Sequence, residues 1–270
     1  MKNKKEASVI LATYNRPEIL KLVLLGYQRQ SLRDFEIVIA DDGSKDDVKA
    51  VIEEFKKTSF FDIIYIWQPD EGWRKCAIVN KAILAANSDY LIFSDADMIP
   101  HHDFVKTHIQ YRQKNAVLLG RWIRWGKWLS SRITINEVIS GRYEKLTWDK
   151  WLAFFCGGIK HFQKSIPIKN KFLLKCLNLP NKQVNLYGGN FSMWKEDMLK
   201  LNGFNERMVY WGREDCELDV RVKRLGLKRI SVRHQAILFH LDHPRDKSQA
   251  HLNLEILKET ESSEGYVWKL

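Results

Sequence analysis

Short apolar runs alternate with helical periodicities through the first hundred residues. Ser8–Ala12 reads as a strand, broken by Thr13-Tyr14-Asn15-Arg16-Pro17, and Pro17 suits the first turn of a helix. Leu20, Val23 and Leu24 predict that helix over Ile19–Arg29. Phe35–Ala40 reads as a second strand closed by Asp41-Asp42-Gly43-Ser44. Ser44 with Asp47 resembles a capping box for a helix through Lys56. Ile63–Trp67 reads as a third strand, Asp70–Trp73 as a turn, Cys76–Ala86 as a helix and Tyr90–Phe93 as a fourth strand. Asp95 and Asp97 leave its end, and continued strand alternation would point both carboxylates the same way. This order predicts an α/β fold with a largely parallel sheet covered on both faces. Ligands of such sheets sit at the carboxyl ends of the strands. Thr13, Asp41, Asp42, Asp95 and Asp97 all fall there, and that convergence is the main argument for a site.

After Val117-Leu118-Leu119-Gly120 the pattern loosens. Residues 121–183 carry Trp, Lys and Arg with little periodicity and read as an insertion or lid. Its basic part, Lys160–Lys182, is equally compatible with contact to phosphate or membrane and with a solvated loop. Order returns at Tyr187–Trp194, where Gly188 and Gly189 allow close backbone approach to a ligand, or a tight turn. Leu218, Val222 and Leu225 predict a helix over Asp215–Leu225 stopped by Gly226. Glu214 and Asp215 then sit at its N-terminus, where the helix dipole favours acids with or without a chemical role. Ala236–Phe239 reads as a strand ending in His240-Leu241-Asp242-His243-Pro244. The tail from Lys247 is polar, with a weakly amphipathic helix around Leu252–Leu257. The chain reads as one domain over 1–270, in parts 1–120, 121–185, 186–245 and 246–270.

Composition narrows the partners. A net charge of +11 suits a nucleotide diphosphate, a nucleic acid or an acidic membrane surface. Two carboxylates at a strand end suit a divalent cation that in turn holds a diphosphate. No Gly-x-Gly-x-x-Gly follows the first strand and no Walker loop is present, which argues against dinucleotide and P-loop enzymes. Cys76, Cys156, Cys176 and Cys216 form no Cys-x-x-Cys pair and read as reduced thiols of a cytosolic protein. No signal peptide opens the chain and no apolar run reaches membrane-spanning length.

Ser8–Pro17, Ile37–Ser44, Gly72–Ala82 and Phe93–Pro100 together resemble the family 2 glycosyltransferases of the GT-A fold. Gly188–Ser192 and Trp211–Arg221 resemble the acceptor half of β-1,4-galactosyltransferases and bacterial chondroitin-polymerase-type enzymes. The resemblance implies a Rossmann-like sheet with a nucleotide-sugar half at 1–120 and an acceptor and catalytic half at 186–245. It implies that Thr13 and Asp41 face the base, that Arg74 lies near the base or diphosphate, and that Asp95 approaches ribose and metal. Asp97 would be a direct ligand of Mn2+ or Mg2+, and His240 the last protein ligand. A mixed Asp/His set favours Mn2+. His243 rivals His240, although Pro244 after it points to a turn. Gly189 and Asn190 would line the donor-sugar and acceptor pocket, and Trp211 would stack on a sugar. Asp215 would be the base, with Glu214 on acceptor hydroxyls.

The implied activity is metal-dependent, inverting transfer of a hexose or N-acetylhexosamine from a UDP-sugar to a saccharide or lipid-linked saccharide, in surface polysaccharide, lipopolysaccharide or glycan assembly. Two other classes compete. A nucleotidyltransferase acting on sugar phosphates uses a similar sheet but has no need of Trp211–Asp215. A basic nucleic-acid-binding protein would explain the Lys, Arg and aromatics of 121–182, yet no recognised motif is present, and no nucleic-acid partner is expected. The expected location is the cytoplasm, loosely on the anionic inner face of the membrane.

Overall fold

The structure, a computed structural model, describes residues 4–145, 147–160, 168, 172, 174, 185–244, 249 and 251–268. Most of the basic stretch Lys160–Lys182 and the start of the tail at Lys247 lie outside them. Strands β1 (Ala7–Thr13), β2 (Phe35–Asp41), β3 (Asp62–Trp67) and β4 (Tyr90–Asp95) alternate with helices α1 (Pro17–Gln28), α2 (Asp46–Thr58) and α3 (Lys75–Ala85). There follow β5 (Met98–Pro100), α4 (Phe104–Tyr111), β6 (Ala116–Leu119) and β7 (Arg121–Trp125). Three short helices, α5 (Lys127–Ser130), α6 (Ile135–Ser140) and α7 (Trp148–Phe155), precede β8 (Ile159–Lys160). The C-terminal part has β9 (Asn190–Trp194), α8 (Lys195–Lys200), α9 (Glu214–Arg224), β10 (Lys228–Ser231), β11 (Ile237–His240) and α10 (Leu252–Ser262).

Seven strands form the main sheet in the order β10-β6-β9-β4-β1-β2-β3. All pairs are parallel except those of β9, which runs antiparallel to β4 and β6. The sheet is covered on both faces, which is why its inner strands read as unbroken apolar runs. Val9, Leu11, Ile37, Ile39 and Ile92 pack with Leu20, Val23 and Leu24 of α1 and Val48 and Ile52 of α2. Ile10, Val38, Leu91 and Phe93 pack with Ile78, Val79 and Ala82 of α3 and Leu218 and Val222 of α9. The expected α/β architecture is therefore present.

Of a second sheet, β5-β11-β7-β8, the sequence reading anticipated only the strand at Ala236–Phe239. Its β7 opens the stretch expected to be an insertion or lid, and pairs in parallel with β11. The helices α5 and α6 that follow β7 are too short to show a period. The expected capping box at Ser44 and Asp47 is absent: α2 starts after Lys45 without a side-chain cap, and the Ser44 hydroxyl accepts the Asn15 N–H at 2.8 Å. A capping box does form at α6, between Thr134 and Glu137. Glu144, next to Tyr143, locks this region to the body. It accepts from Arg29 at 2.6 Å and from the His102 N–H at 2.9 Å, and the His102 ring lies 2.8 Å away. The donor atoms of His101, His102 and Glu144 lie close enough to hold a metal ion, but these groups already bond one another and Arg29.

Candidate active site

The carboxyl ends of β1, β2 and β4 open onto one cavity of about 890 Å³. Its walls carry Thr13, Tyr14, Asp42, Arg74, Lys75, Asp95, Asp97, Trp122, Gly189, Trp211, Glu214, Asp215 and His243. The loop after β1 is braced against those after β2 and β3: Asn15 accepts the Lys45 N–H at 2.9 Å, and Tyr14 donates to Asp70 at 2.7 Å. Gly43 has φ +92°, and a Cβ there would meet the Asp70 backbone at 2.5 Å, so this crossing of two loops needs glycine.

The two acids after β2 separate. Asp41 is fully buried, accepting from the Ser44 N–H and the Tyr65 hydroxyl at 2.8 Å each, and is not among the lining residues. Asp42 lines the cavity instead, accepting from Gln68 at 2.6 Å and the Arg74 N–H at 2.8 Å. Burial raises the Asp42 carboxyl, against the pull of those two donors. A base-facing role for Asp41 is thus hard to reconcile with the structure, and adjacent strand-end residues pointing opposite ways is the physical reason.

Asp95 and Asp97 also part company. β4 stops at Asp95 and a turn carries Ala96 and Asp97 into β5, so alternation does not extend to Asp97. Asp95 accepts from the Lys75 ammonium at 2.6 Å. Burial alone would lower that lysine, but the Asp95, Glu214 and Asp97 carboxylates hold it above its ordinary range. Asp97 belongs to a different cluster. β5 and β11 pair antiparallel with His240 opposite Met98, which places fully buried His240 beside Asp97 at 3.7 Å. His243 comes closer, its Nε2 2.5 Å from Asp97 Oδ2. Donor atoms of Asp97, His240 and His243 lie within 4.8 Å of one another. One carboxylate oxygen and two imidazole nitrogens are a donor set that fits a divalent transition ion. The structure thus adds His243, which Pro244 had made look like a turn residue, and ties Asp95 to Lys75 in place of that cluster.

Gly189 sits against Asp95 and Met98: a Cβ would come within 2.5 Å of Met98 Cε and 2.9 Å of Asp95 Oδ2. Asn190, expected in the pocket, is fully buried. Its amide donates to the Arg121 and Ala236 carbonyls at 2.7 and 3.0 Å, and its oxygen lies 3.2 Å from the His108 ring. His108 in turn meets the Ser192 hydroxyl at 2.7 Å, which meets Tyr90 at 2.7 Å. Burial pushes His108 down to about 3, so it stays neutral in this chain of bonds. Asn190 joins β9 to β7 and β11. We expect Asn190→Ala to cost about 2–4 kcal/mol of stability by orphaning two carbonyls and a ring nitrogen, read as a lower midpoint in urea. An unchanged midpoint with a raised donor KM would return Asn190 to the pocket.

Glu214 and Asp215 open α9 as the periodicity predicted. The chain enters through Gly212 (φ +100°) and Arg213 (φ +74°), and a non-glycine residue in that region is strained. Fully buried Asn253 of α10 holds this entry by donating to the Tyr210 and Gly212 carbonyls at 2.7 Å each, a function of the tail that its polar sequence did not reveal. Glu214 lies part-buried with Oε2 lacking a protein donor among the described residues. Burial pushes its carboxyl up to about 7; Lys75 opposes this, while Asp215 and Asp95 add to it. A raised carboxyl favours the fold while protonated. Its contribution is therefore full below the unfolded value near 4.5 and is lost as pH rises through about 7. Glu214→Gln should flatten the fall in stability between those values by on the order of 1–3 kcal/mol. Melting curves across that range that are parallel for both proteins would refute this placement. Lys75 escaped the sequence reading, and Asp42, although read at a strand end, was given no role there. The nearest signal for each was its neighbour, Arg74 or Asp41.

Three comparisons bear on this geometry. Residues 8–168 match the family model for glycosyl transferase family 2, and residues 174–244 match the model described as the N-terminal domain of galactosyltransferase. A chondroitin synthase of Escherichia coli is 29% identical over 260 residues, which cover 90% of this chain and 35% of the synthase. The chain thus spans about a third of that relative's length. Among solved structures, a mannosyltransferase of Pyrobaculum calidifontis in complex with GDP-Man and Mn2+ aligns with a TM-score of 0.57 at 15% identity, over 95% of this chain and 61% of that one. TarS 1–349 of S. aureus in complex with UDP-GlcNAc aligns with a TM-score of 0.58 at 14% identity, over 89% and 59%. At such identities these structures speak for the fold alone.

Proposed function

Since the chain belongs to glycosyltransferase family 2, we propose that it transfers a hexose or N-acetylhexosamine from a UDP-sugar to a saccharide or lipid-linked saccharide acceptor, with inversion. The nucleotidyltransferase and nucleic-acid-binding readings give way to the family assignment. The observation that carries the proposal is the meeting of two chemically distinct groups across one cavity. One is the Asp97-His243 cluster, with His240 behind it; the other is the Glu214-Asp215 pair at the start of α9.

Asp97, His240 and His243 would hold a divalent cation, and their two imidazoles favour Mn2+ over the purely oxygen-seeking Mg2+. When bound, such a cation neutralises charge developing on a leaving diphosphate. Thr13 and Asp42 face the donor's nucleotide, with Arg74 at the cavity wall. Lys75 holds Asp95 in place at the cavity wall through their 2.6 Å ion pair. Gly189 lets the sugar approach the Asp95 end of the cavity, and Trp211 offers an indole face to a sugar ring. Asp215 takes the proton of the attacking acceptor hydroxyl while the acceptor oxygen bonds to the anomeric carbon and the bond to the diphosphate breaks. Glu214 accepts a second acceptor hydroxyl on its unpartnered oxygen. A single displacement of this kind converts an α-linked donor into a β-linked product.

The reading is tested by measuring UDP release from a panel of UDP-sugars, with oligosaccharide acceptors and with Mn2+ or Mg2+ supplied or chelated. Turnover of at least one UDP-sugar is expected, together with thermal stabilisation by UDP and Mn2+ through mass action. Turnover of GDP-sugars alone would overturn the choice of donor.

A further inference from the structure

Helix α7 carries Trp148, Trp151, Leu152 and Phe155 at i, i+3, i+4 and i+7, which is one continuous helical face. In most surface helices such a stripe turns into the core. Here it turns out: the four side chains are 76%, 39%, 46% and 76% exposed. The helix is held from its other side, where Ala153 is buried and the Lys150 ammonium is buried against the Arg142 and Lys145 carbonyls at 2.8 Å each. Trp151 stacks on Phe155 with ring centroids 6.0 Å apart, so the outward face is an ordered aromatic surface.

The charge of the chain gathers around this helix in sequence. Residues 121–184 contain thirteen Lys and Arg against only Glu137, Glu144 and Asp149, so ten of the eleven net positive charges lie there. Arg142, Lys145 and Lys160, which flank α7 in sequence, are exposed. Aromatic rings rest at the headgroup level of a bilayer, and neighbouring Lys and Arg meet anionic lipid phosphates. An acidic polysaccharide would satisfy the charge and stack on an indole, but it has no apolar interior to take up Leu152 and Phe155 together with the two tryptophans. We propose that the α7 face docks the protein on an anionic lipid bilayer. This goes beyond the proposed transfer reaction and does not depend on its donor or acceptor.

The test is flotation of the full chain with vesicles of phosphatidylcholine alone or mixed with phosphatidylglycerol, at roughly 0.1 M and 1 M salt. Binding to the mixed vesicles at low salt, released at high salt, is expected. Trp148→Ser with Phe155→Ser should weaken it by at least about tenfold, while Trp148→Phe keeps it. Both variants should release UDP from the donor in solution at the wild-type rate, so a failure here is distinct from a failure of the transferase reading. The proposal falls if the double variant floats as well as wild type. It also falls if wild type ignores the mixed vesicles but binds heparin through the same residues, or self-associates through them.

Discussion

Asp97→Ala is expected to remove the metal dependence of UDP binding and to lower kcat/KM by about 10³-fold or more, the scale of losing a cation worth several kcal/mol to a diphosphate leaving group. The expectation rests on the cluster in which Asp97 Oδ2 lies 2.5 Å from His243 and 3.7 Å from His240. His243→Ala should behave similarly, because its ring is the nearer of the two. Asp95→Asn should be milder toward the metal, since Asp95 is engaged with Lys75 at 2.6 Å. Titration calorimetry of UDP with and without Mn2+, on variants whose circular dichroism matches wild type, reads these effects directly. A folded Asp97→Ala protein that keeps its Mn2+-dependent UDP affinity would remove Asp97 from the metal site, whatever became of the transferase reading.

Asp215→Asn is expected to keep UDP-sugar affinity and to lose transfer by about 10²–10⁴-fold, the usual worth of a positioned general base. Adjacent residues on a helix project about 100° apart. Glu214 and Asp215 thus reach different parts of the cavity, and their substitutions should fail differently. Glu214→Gln should chiefly raise the acceptor KM, because Glu214 Oε2 has no protein donor among the described residues. If Glu214→Gln instead abolished kcat while Asp215→Asn transferred normally, the base would be Glu214. A product retaining the donor's anomeric configuration would refute single displacement altogether.

The sequence by itself determined where the carboxyl ends of the parallel strands fall. A strand buried on both faces has to be apolar throughout, so its end is marked by the first polar residues after the run. Thr13, Asp42 and Asp95 were legible for this reason, the start of α9 from its helical spacing, and the family resemblance added roles that periodicity does not contain. The tertiary structure decided which of these groups share a cluster. His243 meets Asp97 because β11 pairs with β5 in one register, across 146 positions of chain, and no local pattern encodes that register. Asp41 and Asn190 looked like pocket residues because they flank one. Their hydrogen bonds to Tyr65, Arg121 and Ala236 turn them into the framework, since a buried polar group has to find its partners there. Much of the stretch after Gly120 escaped the reading because α5 and α6, helices of four and six residues, are too short to show a period. Asn253 shapes the entry to α9 from a tail whose sequence looks merely polar, because its partners at Tyr210 and Gly212 lie about forty residues away along the chain and are brought to it only by folding.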